Sequence, residues 1–305
     1  METDVSLAAR YEALVAERNA LEAERRLLRQ QLDELRGPRH DPARLVDMPP
    51  HTGRGGQASP MQRRGLAFAD WVKEQVAAEP YFFQKIELAP GLVTPGWSDP
   101  KTEKLPYFGL PEDLTGLRVL DIGCAEGFFS FEAERRGARE VVAIDSFPDS
   151  IRRFGICRAA LGSKAAPCLC NVYDLNPRAF GTFDLVLFYG VFYHLRHPAL
   201  ALERILSVCT GTLLLQTYAQ EQPGLGHVPL GEFHPRGLMS GPNQDQWDPT
   251  VFWLFNGAGC LGLLAAAGFV DAEVLSSDPR PFVVRACSPV QARAQVPDQT
   301  TSPWS

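Results

Sequence analysis

Arg118–Ser130 reads RVLDIGCAEGFFS, and Val141–Asp145 follows one strand-helix length later as VVAID. Val119–Ile122 has the length and apolar content of a buried strand. Gly123–Gly127 is a glycine-bearing turn, and a helix opens at Phe128. The second apolar run, Val141–Ile144, ends in Asp145. Alternation of this kind continues along the chain and predicts an α/β fold: a Rossmann-like, seven-stranded, mostly parallel sheet with helices on both faces. In such a sheet ligands sit outside the carboxyl ends of the strands, near the point where strand order reverses. Glycines in the first turn let backbone approach the ligand. A carboxylate at the end of the second strand can accept from both ribose hydroxyls.

The turn narrows the ligand class. A pyrophosphate-binding loop needs G-x-G-x-x-G, and here Gly123-Cys124-Ala125-Glu126-Gly127 lacks the middle glycine. Asp121 and Glu126 put negative charge around the turn, which suits a cationic ligand. The string DIGCAEG resembles the first motif, D-x-G-x-x-x-G, of the class I S-adenosylmethionine-dependent methyltransferases. That resemblance implies S-adenosylmethionine as cofactor, with Asp121, Gly123, Cys124, Gly127, Asp145 and Ser146 around it. Where the family often carries Asp after strand three to meet the adenine amino group, this chain has Asn171, and Val172 would offer a backbone N–H to the ring. Phe183–Tyr189 is the fourth strand, and Phe188 and Tyr189 at its end complete the implied cofactor site.

The next string, GVFYHLRHP (Gly190–Pro198), resembles the fourth motif of that family. It is closer still to one branch, the transfer-RNA wobble-uridine (mo5U/cmo5U) methyltransferases and their small-molecule relatives. The tyrosine of G-V-x-Y-H lies in the cofactor and substrate pocket of that branch, which implies the same for Tyr193. A lysine and a tryptophan upstream of the first strand also serve it, and Lys85 and Trp97 stand in that register as substrate contacts.

Composition sets the bounds. A chain of 305 residues with a net charge of −6 has no global electrostatic pull toward nucleic acid. No apolar run approaches the roughly 20 residues of a membrane-spanning helix, and the charged, amphipathic start is unlike a secretory signal. The seven cysteines are scattered and have no zinc spacing, so no metal is expected and a reducing, cytoplasmic setting fits. Residues 1–36 carry Leu7, Leu14, Leu21, Leu28 and Leu35 at sevenfold spacing. This reads either as a coiled coil that forms a homodimer or as a single amphipathic helix, because arginines at two a positions weaken the seam. Residues 37–60 read as a linker, 61–116 as a helix (Gly65–Ala78) and a lid segment, 117–288 as the cofactor-binding domain and 289–305 as a disordered tail. Tyr218–Thr250 is a long irregular segment expected to roof the substrate side. Val251–Ala267 reads as one helix, bent near Gly257–Gly259, followed by strands at Ala272–Leu275 and Pro281–Cys287.

Methyl transfer to a hydroxyl requires loss of a proton, and His194 stands at the right end of strand four to take it, with Tyr193 orienting the acceptor. A structural role for His194 as a helix cap is the alternative. The favoured function is transfer of a methyl group to a hydroxyl of a small-molecule acceptor such as a sugar or a secondary-metabolite scaffold. The alternative is methyl or carboxymethyl transfer to a transfer-RNA wobble uridine, and a third reading is a non-enzymatic scaffold.

Overall fold

The computed structural model describes residues 66–235, 238–239, 247–248, 250–276 and 281–291. The leucine-heptad segment, the linker and nearly all of the tail lie outside the described residues. In chain order the described elements are α1 (Leu66–Ala78), β1 (Glu87–Ala89), β2 (Leu92–Val93), α2 (Pro100–Glu103), β3 (Arg118–Ile122), α3 (Phe128–Arg135), β4 (Glu140–Asp145) and α4 (Pro148–Leu161). They continue as β5 (Ala166–Leu169), α5 (Pro177–Phe180), β6 (Phe183–Tyr189), α6 (Pro198–Val208), β7 (Cys209–Thr217), β8 (Gly231–Phe233), β9 (Leu238–Met239) and β10 (Trp247–Asp248). The last are β11 (Trp253–Phe255), α7 (Gly257–Ala267), β12 (Val270–Val274) and β13 (Phe282–Cys287).

Seven strands form one sheet in the order β12-β13-β7-β6-β3-β4-β5. The β3–β4, β4–β5, β3–β6 and β6–β7 pairs are parallel, and β13 runs antiparallel to both β7 and β12. This is the expected Rossmann-like fold. Strand order reverses between β3 and β6, which places a crevice at the carboxyl ends of these two strands.

Strands buried on both faces need apolar side chains at successive positions, and β3, β4, β6 and β7 supply them. Leu120, Ile122, Val186, Phe188, Leu213 and Leu215 point to one face, where Leu202 and Ile205 of α6 and Leu264 of α7 cover them. Val119, Val141, Ala143, Leu185, Leu187 and Leu214 point to the other, under Phe129 and Ala133 of α3 and Phe154 of α4. The period of two thus divides one continuous apolar run between two helical layers.

The segment before β3 is fastened down. Phe82, Ile86 and Leu88 pack with Val72 and Val76 of α1 and with Ile156, Cys157 and Ala160 of α4. β1 and β2 form a small antiparallel hairpin, and Gln84 bridges Ser98 in parallel. The expected lid is therefore a packed layer over α4 along residues 82–98.

One expectation is overturned. Val251–Ala267 is not a single bent helix: Trp253–Phe255 pairs antiparallel with Gly231–Phe233, and the helix starts only at Gly257. The aromatic string Phe252-Trp253-Leu254-Phe255 favours a strand, and Asn256 ends it by capping α7. Its side-chain oxygen accepts from the N–H groups of Gly259 (2.8 Å) and Leu230 (2.9 Å), and its amide donates to Val228 O (2.8 Å). The penultimate strand starts at Val270 rather than Ala272. Its pairing with β13 shifts register between Val270 and Glu273, around Asp271 at φ 51°.

Asn256 therefore ties the roof segment to a helix N-terminus from a buried position. Asn256→Ala should lower stability by roughly 2–3 kcal/mol, a lost cap plus buried groups left unpaired. In thermal unfolding that corresponds to a drop of about 5–10 °C.

Candidate active site

The turn between β3 and α3 is held in place by main-chain contacts to β4. The Gly123 and Cys124 N–H groups donate to Ile144 O at 2.8 and 3.1 Å. Gly123 has φ +74°, and a Cβ there would lie 2.2 Å from Val191 Cγ2. Only glycine permits both the left-handed backbone and this close approach of the loop after β6. Gly127, at φ 99°, ends the turn as the residue before α3.

Asp145, at the end of β4, closes the turn from the other side. One carboxylate oxygen accepts from Ala125 N (3.1 Å), the other from Phe147 N (2.9 Å). Each oxygen keeps a further lone pair for a ligand hydroxyl. Asp121 is buried beneath, with Ser130 Oγ donating to it at 2.6 Å. Burial, reinforced by the nearby Asp145 charge, pushes the Asp121 carboxyl up to about 7, and Asp145 is also raised, mainly by burial. Two buried carboxyls with raised pKa values at strand ends form a site that gains from a cationic partner. Burial drives the Cys124 thiol well up, so this sulfur is held as a thiol.

Glu126 does something other than what the sequence implied. It is 0% exposed, and its carboxylate accepts from Phe83 N (3.0 Å), Gln84 N (3.0 Å) and Arg153 Nε (3.1 Å). Its charge is thus spent on the protein, and the expectation that it attracts the ligand is corrected. Gln84 completes the joint, its side-chain oxygen accepting from Phe128 N (3.1 Å) at the start of α3. Neither Gln84 nor this role of Glu126 was read from the sequence. The partners lie about 40 residues apart, and no local pattern marks them.

The remaining cofactor candidates follow the strand ends. Ser146 and the 63%-exposed Phe147 follow Asp145 at the mouth of the crevice. Asn171 caps the short 3-10 turn Val172–Asp174, its side-chain oxygen accepting from Tyr173 N at 3.1 Å, while the Val172 side chain is buried. The side chains of Phe188 and Tyr189 are both buried: Phe188 packs in the α6/α7 layer, and Tyr189 donates its hydroxyl to Phe108 O at 3.0 Å. What β6 offers to the crevice at these two positions is backbone.

Beyond β6, Phe192–His194 forms a 3-10 turn. His194 Nδ1 lies 3.0 Å from Thr250 O and 2.9 Å from Thr250 Oγ1. The Tyr193 ring stands 4.1 Å from the His194 ring and 4.7 Å from the Tyr218 ring, and Tyr193 O accepts from Phe252 N at 2.8 Å. The roof segment thus meets the end of β6 at both ends, Tyr218 and Thr250. Lys85 and Trp97 lie on neighbouring segments, with Lys85 N donating to Ser98 O at 2.8 Å. Lys85 is exposed. Trp97 is 67% exposed, donates to the Tyr81 hydroxyl at 2.8 Å and meets the Phe83 ring edge-on. Among the described residues, no group of three or more His, Cys, Asp or Glu side chains is placed to hold a metal ion, and no helix is long and apolar enough to cross a membrane.

Residues 98–274 match the family model described as a methyltransferase domain. The chain belongs to that family. It is 33% identical over 133 residues to the tRNA U34 carboxymethyltransferase of Geobacter sp. (strain M21), covering 43% of this chain and 38% of that one. Against the tRNA U34 carboxymethyltransferase of Methylococcus capsulatus it is 32% identical over 170 residues, covering 54% and 48%. The match therefore spans less than half the length of these relatives. Among solved structures, the N-terminal domain of EvdMO1 in the presence of SAH and D-fucose superposes with a TM-score of 0.57 at 23% identity, covering 76% of this chain and 100% of that one. That likeness shows the shared fold. The family and the turn chemistry agree on S-adenosylmethionine as the cofactor, and the residues present fit it: backbone-lined glycine turn, strand-end carboxylate and a buried acid that favours a cation.

Asp121 yields a pH signature. Its carboxyl, raised from 3.8 to about 7, stays protonated in the fold where the unfolded chain has lost the proton, so its contribution to stability falls as pH rises between those values. A ligand ammonium group favours the ionised carboxylate. Affinity for S-adenosylhomocysteine should therefore rise by about tenfold from pH 6 to pH 8, and calorimetric titration of Asp121→Asn should show a flat profile. At pH 8, Asp145→Ala should weaken the same binding by roughly 1.5–3 kcal/mol, the range for hydrogen bonds to a charged group.

Proposed function

We propose that this domain transfers a methyl group from S-adenosylmethionine to a hydroxyl of a small-molecule acceptor, such as a sugar or a secondary-metabolite scaffold. The observation that carries the reading is the contact between His194 Nδ1 and the Thr250 carbonyl at 3.0 Å. A carbonyl can only accept, so this contact favours the proton on Nδ1 and leaves Nε2 as an acceptor. An imidazole held in that tautomer is set to take a proton from an acceptor hydroxyl. When bound, S-adenosylmethionine supplies the electrophilic methyl group, its carbon–sulfur bond breaking with the electron pair retained by sulfur.

Tyr193 and Thr250 flank His194, and Tyr218 packs against the Tyr193 ring; this lining of aromatic faces and hydroxyls suits a neutral polyhydroxylated ring. Lys85 and Trp97, carried on the layer joined to the cofactor turn, are assigned to the far side of the acceptor. The net charge of −6 also supports a small acceptor over a polyanion.

The second reading, a transfer-RNA wobble uridine as acceptor, is supported by the names of the matched relatives. Mass spectrometry of the cofactor retained on purification, with nucleic-acid absorbance read on the same sample, separates the two. Plain S-adenosylmethionine or its demethylated product without RNA supports the small-molecule reading. Carboxylated cofactor or co-purifying transfer RNA overturns it.

For the proposed base, His194→Ala should lower kcat by about 10²–10⁴-fold while leaving S-adenosylhomocysteine affinity within twofold. An unchanged kcat would return His194 to a purely structural role.

A further inference from the structure

The stretch Tyr193-His194-Leu195-Arg196-His197 lies between the end of β6 and the start of α6, and it is held from two sides. One side is the roof. Tyr193 O accepts from Phe252 N at 2.8 Å, and His194 Nδ1 meets Thr250. Arg196 O accepts from Trp253 Nε1 at 3.3 Å, and the Arg196 guanidinium lies 4.0 Å over the Phe252 ring. Backbone, side-chain and cation–ring contacts therefore fasten this loop to the segment from Thr250 to Trp253.

The other side is the turn after β5. The Tyr173 hydroxyl accepts from His197 N at 3.1 Å, across 24 positions of chain, and the two rings stand 6.1 Å apart. His197 is the residue before α6, and its own side chain makes no capping hydrogen bond. A helix start leaves N–H groups without intrahelical partners, and Tyr173 supplies an acceptor there from a different strand end. Tyr173 itself sits in a turn fixed to the cofactor crevice. Its N–H donates to Asn171 Oδ1 at 3.1 Å, and Cys170 N donates to Asp145 O at 2.9 Å. Asp145 is the strand-end carboxylate with lone pairs left for ligand hydroxyls, and β5 runs beside β4 in parallel. The phenol oxygen of Tyr173 thus stands between the Asp145 end of the crevice and the loop that carries His194.

We propose that Tyr173 is a positioning residue: its hydroxyl joins the Asp145 end of the cofactor site to the His194 loop, so that a seated cofactor also orders the acceptor wall. The inference rests on assigning this crevice to S-adenosylmethionine. The contacts run from Asp145 through Cys170, Asn171 and Tyr173 to His197, and from Arg196 and Tyr193 to Phe252 and Trp253. A ligand that stills the turn lowers the cost of ordering whatever is bonded to it. One neutral hydrogen bond contributes a modest amount, which gives a severalfold bias rather than an all-or-none switch. The consequence is a preferred sequence of binding, in which the acceptor meets a completed wall only after the methyl donor is in place.

Amide hydrogen exchange of the full chain, read by mass spectrometry, tests this with S-adenosylhomocysteine as the probe. In wild type the probe should slow exchange in peptides containing 123–127 and 171–174, and also in 250–256, by about fivefold. Tyr173→Phe deletes one oxygen and keeps the ring. This variant should bind the probe within twofold of wild type and keep the slowing at 123–127 and 171–174, but lose it at 250–256. Undiminished slowing at 250–256 in the variant overturns the proposal, as does a wild-type roof that the probe leaves unchanged. Faster exchange throughout α6 in the unliganded variant also overturns it, since that marks a plain structural role. If wild type binds no S-adenosylhomocysteine, the cofactor assignment has failed and the proposal falls with it, a result that precedes any variant.

Discussion

The arrangement of the crevice depends on one buried carboxylate. Glu126 lies inside the cofactor turn, sealed from solvent, and reaches the main chain of Phe83 and Gln84 and the guanidinium of Arg153 on α4. A buried charge is tolerated only when it is paired and hydrogen-bonded, and these three donors meet that condition. The same contacts join three pieces of chain far apart in sequence. They fix the turn between β3 and α3, they seat the packed layer 82–98 on the domain, and they orient α4 beneath both. Gln84 returns the connection by capping the start of α3. The position of Trp97 and Lys85 relative to the turn is a consequence of this joint.

The opposite wall is built on different physics. There, hydrogen bonding between Tyr193 O and Phe252 N and the contacts from His194 to Thr250 bring the roof segment to the end of β6. Trp253–Phe255 is a strand because it pairs with Gly231–Phe233, and stacking of Trp253 on Phe255 and contact of Trp253 with Phe233 reinforce the pair. Asn256 then converts the strand into the helix α7 and holds Val228 and Leu230 at the same point. One wall is thus a charged joint hidden from water, and the other is an aromatic and hydroxyl surface held by neutral hydrogen bonds.

Gln216 is a polar residue that the sheet buries near the end of an apolar strand. In the string TLLLQT the glutamine was visible in the sequence, but strand length alone gave no reason to separate it from a surface position. Only the pairing of β7 between β6 and β13 shows that this end of the strand is interior. The same holds for Phe188 and Tyr189. The sequence placed them at the end of the fourth parallel strand, while the sheet shows that their rings belong to the core and that only backbone is presented to the crevice.

The sequence by itself determined the parallel sheet, its flanking helices and the glycine turn with Asp121 and Asp145. These follow from local periodicity, from apolar runs of strand length and from a short motif, all written within a few residues of one another. It also marked His194 and Tyr193 as candidates, because they lie in one contiguous string after β6. Tertiary structure decided the rest: the role of Glu126, the seating of residues 82–98, the strand at Trp253–Phe255, the contact of His194 with Thr250 and the interior position of Gln216. Each of these depends on groups from about 20 to nearly 80 positions apart, whose pairing is set by burial and by the need to satisfy buried polar atoms. No local pattern encodes that requirement, since it arises only once the chain has closed around them.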